Sequence, residues 1–287
     1  TLSKRQMRSW SLVLAARHIP CHPERRGFGW QLLVPANMLA LAAKELRQYE
    51  SENHGWPPPP PQETPLIDNR ATTLWVLIAI GVFYNLTLRD INLAGHYPVN
   101  WYELGNAHAG KIMDGQWWRL ITALTLHADW QHLLGNLLIG GVFISRLCRD
   151  LRSGPGWLLL LAAGTFGNLI NAWLQNPAHR AVGASTAVFG AVGILAAISM
   201  VRYRQNLRPR RRWTLPVAAA LGLLAMLGVG GENTDLGAHL FGFLLGLPLG
   251  FGAELAIERY GRPHWKVNTL MAMTSIAIVI GAWWAAL

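Results

Sequence analysis

Charged side chains are scarce in this chain. Asp, Glu, Lys and Arg make up 14% of its 287 residues, against about 25% in an ordinary soluble domain. A deficit of that size over so long a chain argues against a conventional water-soluble protein and points to the bilayer. Cysteine is scarcer still: Cys21 and Cys148 are the only two, too few and too far apart for a disulfide framework or a thiolate metal site. There is no His-Glu-x-x-His run, which removes the zinc-protease helix signature. His127 and His132, five residues apart, make a poor zinc pair, so no metal and no cofactor is expected. The first nine residues are mostly polar or charged and no long apolar run follows closely, so no cleavable leader is expected.

Hydrophobic residues, by contrast, make up 52% of the chain. The net charge of +10 comes from basic residues lying between apolar segments. A nucleic-acid binder needs them on one soluble face, so the expected partner is the lipid bilayer and not nucleic acid. Seven stretches approach the roughly 20 apolar residues that cross a membrane: Ala71–Leu88, His132–Leu147, Pro155–Leu174, Gly183–Tyr203, Trp213–Gly230, Leu236–Leu255 and Val267–Leu287. Polar residues open the second.

Basic residues in short loops set the orientation. Arg146, Arg149 and Arg152 follow the second span; Arg202, Arg204, Arg208, Arg210, Arg211 and Arg212 follow the fourth; Arg259, Arg262 and Lys266 follow the sixth. These alternate correctly, so all three loops can be cytoplasmic. The loop between spans five and six has Glu232 and Asp235 and no basic residue, as an outer loop should. The N-terminus is then cytoplasmic and the C-terminus outside, and both cysteines face the reducing side.

Residues 1–55 read as a small cytosolic α+β domain, in the order helix, strand, strand, helix. Its helices are expected over Ser3–His18 and from Pro35 to about Glu50, its strands over Ile19–Arg25 and Gly29–Val34. Nothing in it carries chemistry. Residues 56–70 form a proline-rich linker, with five consecutive prolines from Pro57 to Pro61 acting as a stiff spacer. Residues 71–255 form the membrane core, and 256–287 a cytoplasmic loop with the last span.

Polar groups inside spans are costly and often functional. Spans two, four and six all run inward from the outer surface. His132 opens span two, with Asn136 one helical turn deeper on the same face. Ser185 lies near the outer end of span four and His239 a few residues into span six. Gly242, Gly246 and Gly250 continue the His239 stripe, while Gly193 and Ala196 form a small stripe below Ser185. Such surfaces let backbones approach closely. If they meet, the Ser185 hydroxyl reaches the His239 ring, giving a nucleophile and its general base. His132 and Asn136 are then placed to donate to an oxyanion. Taken singly, a membrane Ser more often bonds its own helix and a membrane His is more often structural.

Four motifs in this order resemble the rhomboid family of intramembrane serine proteases. Gly183-Ala184-Ser185-Thr186 is similar to its Gly-x-Ser-Gly nucleophile motif. Ala238-His239-Leu240-Phe241-Gly242, with Gly246 beyond, is similar to its histidine motif. His132-Leu133-Leu134-Gly135-Asn136 matches its oxyanion pair, and Gly115-Gln116-Trp117-Trp118-Arg119 resembles its Trp-Arg first loop. The resemblance implies an all-α polytopic fold, a rhomboid-like six-helix bundle plus one C-terminal transmembrane helix, in a bacterial inner membrane. It implies an intramembrane serine endopeptidase with a Ser185–His239 dyad, no acidic third member, and Phe189 packed on the histidine. Substrates would be transmembrane proteins cut near the outer face. A catalytically inactive relative binding transmembrane clients is the alternative; it usually loses the Ser or the His, and both are kept here. A transporter would call for inverted repeats, which are not seen. The sequence leaves the oligomeric state open. It departs from the family at Thr186, where Gly is usual, and a β-branched residue there makes the turn bulkier and stiffer.

Overall fold

The computed structural model describes residues 1–54, 67–95, 98–202, 218, 222 and 235–287. The predicted fifth span apart from residues 218 and 222, the proline run, Glu232 and most of the arginine-rich loop lie outside them. Contacts divide the chain into two compact units, Thr1–Pro60 and Pro61–Leu287.

In the first unit, α1 (Lys4–Ala16) begins with a capping box. The Ser3 hydroxyl accepts from the Gln6 amide and the Gln6 side chain accepts from the Ser3 amide, satisfying two otherwise unpaired donors. Strands β1 (His22–Arg26) and β2 (Gly29–Leu33) pair antiparallel, with His22 opposite Leu33 and Arg26 opposite Gly29. Gly27 makes the turn at φ +62°, a conformation that suits glycine. Leu2 bridges Trp30 on the other edge of β2. A short 3-10 turn (Ala36–Met38) leads into α2 (Leu39–Glu52), so the second helix starts later than its proline suggests. Leu14, Ile19 and Ala42 form the small core. Both cysteines are free thiols.

The second unit is helical. α3 (Arg70–Thr87) is followed by a structured loop containing α4 (Trp101–Gly105), β3 (Ala107–His108), α5 (Ala109–Met113) and α6 (Arg119–Thr122). Then come α7 (Trp130–Gly135), a π segment (Asn136–Gly140) and α8 (Gly141–Leu151), one helix in three parts. α9 (Ser153–Leu174), β4 (Arg180–Ala181), α10 (Ser185–Arg202), α11 (Leu236–Tyr260) and α12 (Trp265–Ala286) complete it. Among the described residues five helices are long and apolar enough to cross a membrane: α3, α9, α10, α11 and α12. The predicted second span is the interrupted helix 130–151. It is continuous in space, but the π segment breaks its α-helical run.

α10 is the most enclosed of the five, and its contact with α11 is made through backbone. A Cβ added at Gly242 would strike the Thr186 carbonyl oxygen, one at Gly246 that of Gly190, and one at Gly250 that of Ile194. Each step advances by one helical turn on both helices, so the two run parallel. Conversely, a Cβ at Gly193 would strike the Phe243 carbonyl oxygen. The predicted α11 stripe therefore meets α10, but along Thr186, Gly190, Gly193 and Ile194. Ala196 is partly buried against the cluster of Phe189, Val192 and Phe243.

At the opposite end from Ser185, the helices are tied by charge. Arg202 donates to Asp150 at 2.7 Å and to both oxygens of Glu254 at 2.6 and 2.9 Å. Arg146 reaches the other Asp150 oxygen at 2.9 Å, and Arg262 donates to the Asp150 carbonyl at 2.9 Å. Asp150 and Glu254 are 2% and 4% exposed. An ionic cluster this buried holds only while its members are paired. Arg202→Met takes the ion-pair partner from buried Glu254 and leaves Asp150 with Arg146 alone, and its expected cost is about 3–5 kcal/mol. Thermal unfolding of the detergent-solubilised variant checks this; an unchanged midpoint contradicts it.

Candidate active site

α10 and α11 each begin at the mouth of one cavity. Ser185 is the first residue of α10, and its entry is set by Gly183, whose φ is +134°. Two constraints meet at Gly183. Only glycine takes that backbone angle readily, and a Cβ there would lie 2.5 Å from Cε1 and 2.7 Å from Nε2 of His132. The Gly183 amide donates to the Ala123 carbonyl at 2.9 Å, fixing the turn to the preceding loop.

α11 is started by Asp235, whose side chain accepts from the Ala238 amide. His239 comes one turn later, 5% exposed. Its Nε2 lies 2.7 Å from Ser185 Oγ. Its ring stacks on Phe189 at 4.5 Å between centroids and 22° between planes. The Nδ1 of His239 has no hydrogen-bond partner among the described residues, so the ring is oriented by the aromatic stack and by the bond to Ser185.

The cavity is about 470 Å³. His132, Asn136, Gly183, Ser185, Phe189 and His239 all line it. Asn136 Nδ2 and His132 Nδ1 are buried without partners among the described residues; the Asn136 donor is therefore uncommitted. The π segment begins at Asn136, and single π turns inside helices are frequent at functional sites. Gly242 takes part through packing against Thr186 and does not line the cavity.

Thr186 is 3% exposed. Its Cγ2 fills the space that glycine leaves at position 167 of α9, where a Cβ would come within 2.8 Å of it. The extra bulk expected of this residue is thus accommodated against Gly167 and Gly242, and Thr186 also lines the cavity.

Trp118 and Arg119 do not line the cavity. Arg119 is 3% exposed and organises the loop before α7: it donates to Gln116 Oε1 at 2.6 Å and to the carbonyls of Asn106 and Glu103 at 3.0 and 2.9 Å. The Thr122 hydroxyl donates to the Gly105 carbonyl at 2.8 Å. Trp118 contributes its carbonyl, which accepts from the Thr122 amide. The His127 and His132 rings meet edge to face at 5.3 Å.

Several residues around the site escape a reading of the sequence. Asn168 and Asn171 on α9 are 5% and 4% exposed. Asn168 also lines the cavity and donates to the Leu120 carbonyl at 2.9 Å. Two asparagines inside an apolar span are a signal of the same kind as His132 and Ser185. Asp235 stands out in the sequence only as a charge in an outer loop.

Residues 114–254 match the rhomboid domain model. The chain is 31% identical to the Bacillus subtilis rhomboid-family protein YdcA over 161 residues, 56% of this chain and 79% of that one. It is 34% identical to rhomboid-like protease 3 of Toxoplasma gondii over 184 residues, covering 61% of this chain and 66% of the relative. It is 28% identical to the rhomboid protease GluP of Bacillus subtilis over 212 residues, but spans only 39% of that protein. With its apolar helices, the chain is a multi-pass integral membrane protein and belongs to the rhomboid family.

Proposed function

We propose that this protein is an intramembrane serine endopeptidase in which Ser185 is the nucleophile and His239 the general base and acid. The observation that carries the reading is the 2.7 Å approach of His239 Nε2 to Ser185 Oγ inside a polar-lined cavity. A serine hydroxyl is a weak nucleophile until a base takes its proton. His239 Nε2 accepts that proton as Oγ bonds to the scissile carbonyl carbon, and the carbonyl π electrons move onto oxygen. His239 then gives the proton to the departing amine, leaving an acyl-Ser185 ester. Water, deprotonated by His239, attacks the ester and releases the acid, restoring Ser185.

The oxyanion formed in both halves needs donors arranged beforehand. Asn136 lines the cavity and its Nδ2 is uncommitted among the described residues, and His132 sits against Gly183 at the entry to Ser185. In this reading Phe189 holds the imidazole plane, a duty that a carboxylate performs in the Ser-His-Asp triad. Gly183 and Gly242 permit the approach of His132 and of α11. Trp118 and Arg119 support the site by fixing the loop before α7.

Substrates are transmembrane proteins, cut near the outer membrane face. The parallel course of α10 and α11 supports a topology in which both run inward from that face, with the N-terminus cytoplasmic and the C-terminus outside a bacterial inner membrane. The cytosolic domain over 1–55, the linker over 56–70, the protease core over 71–255 and the terminal helix unit over 256–287 fit the same scheme.

A fluorophosphonate or monocyclic β-lactam probe tests the dyad directly. The solubilised wild type is expected to label and to cleave a model transmembrane substrate, while Ser185→Ala and His239→Ala do neither. Wild-type protein that neither labels nor cleaves sinks the assignment and favours a client-binding protein. A second expectation concerns Asn136→Ala. Loss of one oxyanion donor lowers kcat by about 10²–10³-fold, with KM little changed. A KM effect with kcat intact would move Asn136 from the transition state to substrate binding.

A further inference from the structure

We propose that Asp235 is a positioning residue for His239, held by Asn171 and His179, and that these residues tie together the two segments leading into the dyad. The proposal rests on the protease reading for its catalytic consequence, but its geometry is independent of that reading.

Both carboxylate oxygens of Asp235 are engaged, each on a different task. Oδ1 caps α11, accepting from the Ala238 amide at 3.0 Å, and the Asp235 carbonyl accepts from the His239 amide at 3.1 Å. The residue therefore fixes the first turn of the helix and the backbone of His239 itself. Oδ2 looks away from the helix. It accepts from Asn171 Nδ2 on α9 at 2.6 Å and lies 2.7 Å from His179 Nε2. His179 belongs to the segment between α9 and α10, the one that continues through β4 to Gly183 and Ser185. One carboxylate thus connects the approach to the nucleophile with the approach to the base.

Gly237 supplies an independent sign that this contact is built. A Cβ at that position would strike Asn171 Oδ1 and come within 3.3 Å of Asp235 Oδ1. Only glycine lets the first turn of α11 settle on Asn171, which is 4% exposed. The proton transfers and bond changes at Ser185 use none of Asn171, His179, Asp235 or Gly237. Their effect is to hold the height and rotation of His239 relative to Ser185. Misplacement of a reacting group by 1 Å can cost about 10²-fold in rate.

Asp235→Asn isolates the tie, because Asn remains a good N-cap while losing the acceptor that two donors share. In the full-length solubilised protein, Asp235→Asn and His179→Ala are each expected to slow probe labelling and kcat by about tenfold or more, with KM within about twofold. The double variant is expected to be no slower than the slower single, since both break one contact. His179→Gln, which keeps an amide donor, is expected to recover most of the loss. A role in stability alone would lower the unfolding temperature without that pattern of coupling and rescue. Hydrogen exchange gives an arm that needs no activity: amides of the first turn of α11 are expected to lose protection in Asp235→Asn and in Gly237→Ala. Labelling of Asp235→Asn at the wild-type rate, or single effects that multiply, overturns the positioning role. If the wild type itself fails to label, the protease reading falls, and the exchange arm alone decides whether the tie exists.

Discussion

The contact between the glycines of α11 and the main-chain oxygens of α10 is the constraint on which the rest of the core depends. In lipid the hydrophobic effect gives helices no reason to associate, so they must gain from close packing and polar contacts. Here the approach is set by glycine hydrogens resting on the carbonyl oxygens of Thr186, Gly190 and Ile194, a geometry that also suits weak Cα–H donation. A repeated backbone contact leaves little freedom to slide or rotate. Register between the helices fixes the relation between Ser185 at one N-terminus and His239 near the other. α9 adds its own glycines, Gly164 and Gly167, under Ala187 and Thr186. α10 is thereby held from two sides by surfaces that have no side chains to yield.

The two ends of this helix group are stabilised by different physics. Around Ser185 several polar side chains have buried atoms with no partner among the described residues. At the other end, Arg202, Asp150 and Glu254 satisfy one another. That cluster joins α8, α10 and α11. It fixes the ends of the helices farthest from Ser185.

Much of this is legible in the sequence for a simple reason: long apolar runs broken by basic loops leave few alternatives to spanning helices. Ser185, His239, His132 and Asn136 stand out because each is expensive in lipid and all fall at one depth. The α11 glycine stripe is visible as well. Of its partner surface on α10 only Gly193 is, since Gly242, Gly246 and Gly250 rest on main-chain oxygens, which no side-chain pattern records. The helix 130–151 is blurred by a π segment, which has no distinctive composition. Asn168 and Asn171 are legible in principle, as polar residues in an apolar span. Asp235 is not, because a carboxylate at a predicted loop end looks like any solvated charge until its partners from distant segments are seen.

The π segment in the helix 130–151 has a further consequence. At one end this helix presents His132 and Asn136 to the cavity. At the other it buries Leu147, Cys148, Asp150 and Leu151. In between, Gly140 lies where a Cβ would meet Val188. A π turn holds one residue more than an α turn, and each added residue rotates the remainder of a helix by about 100°. The helix is therefore cut to length like a key with teeth at both ends. Evolution can exchange side chains along it, but gaining or losing a single residue would turn one set of teeth out of its lock.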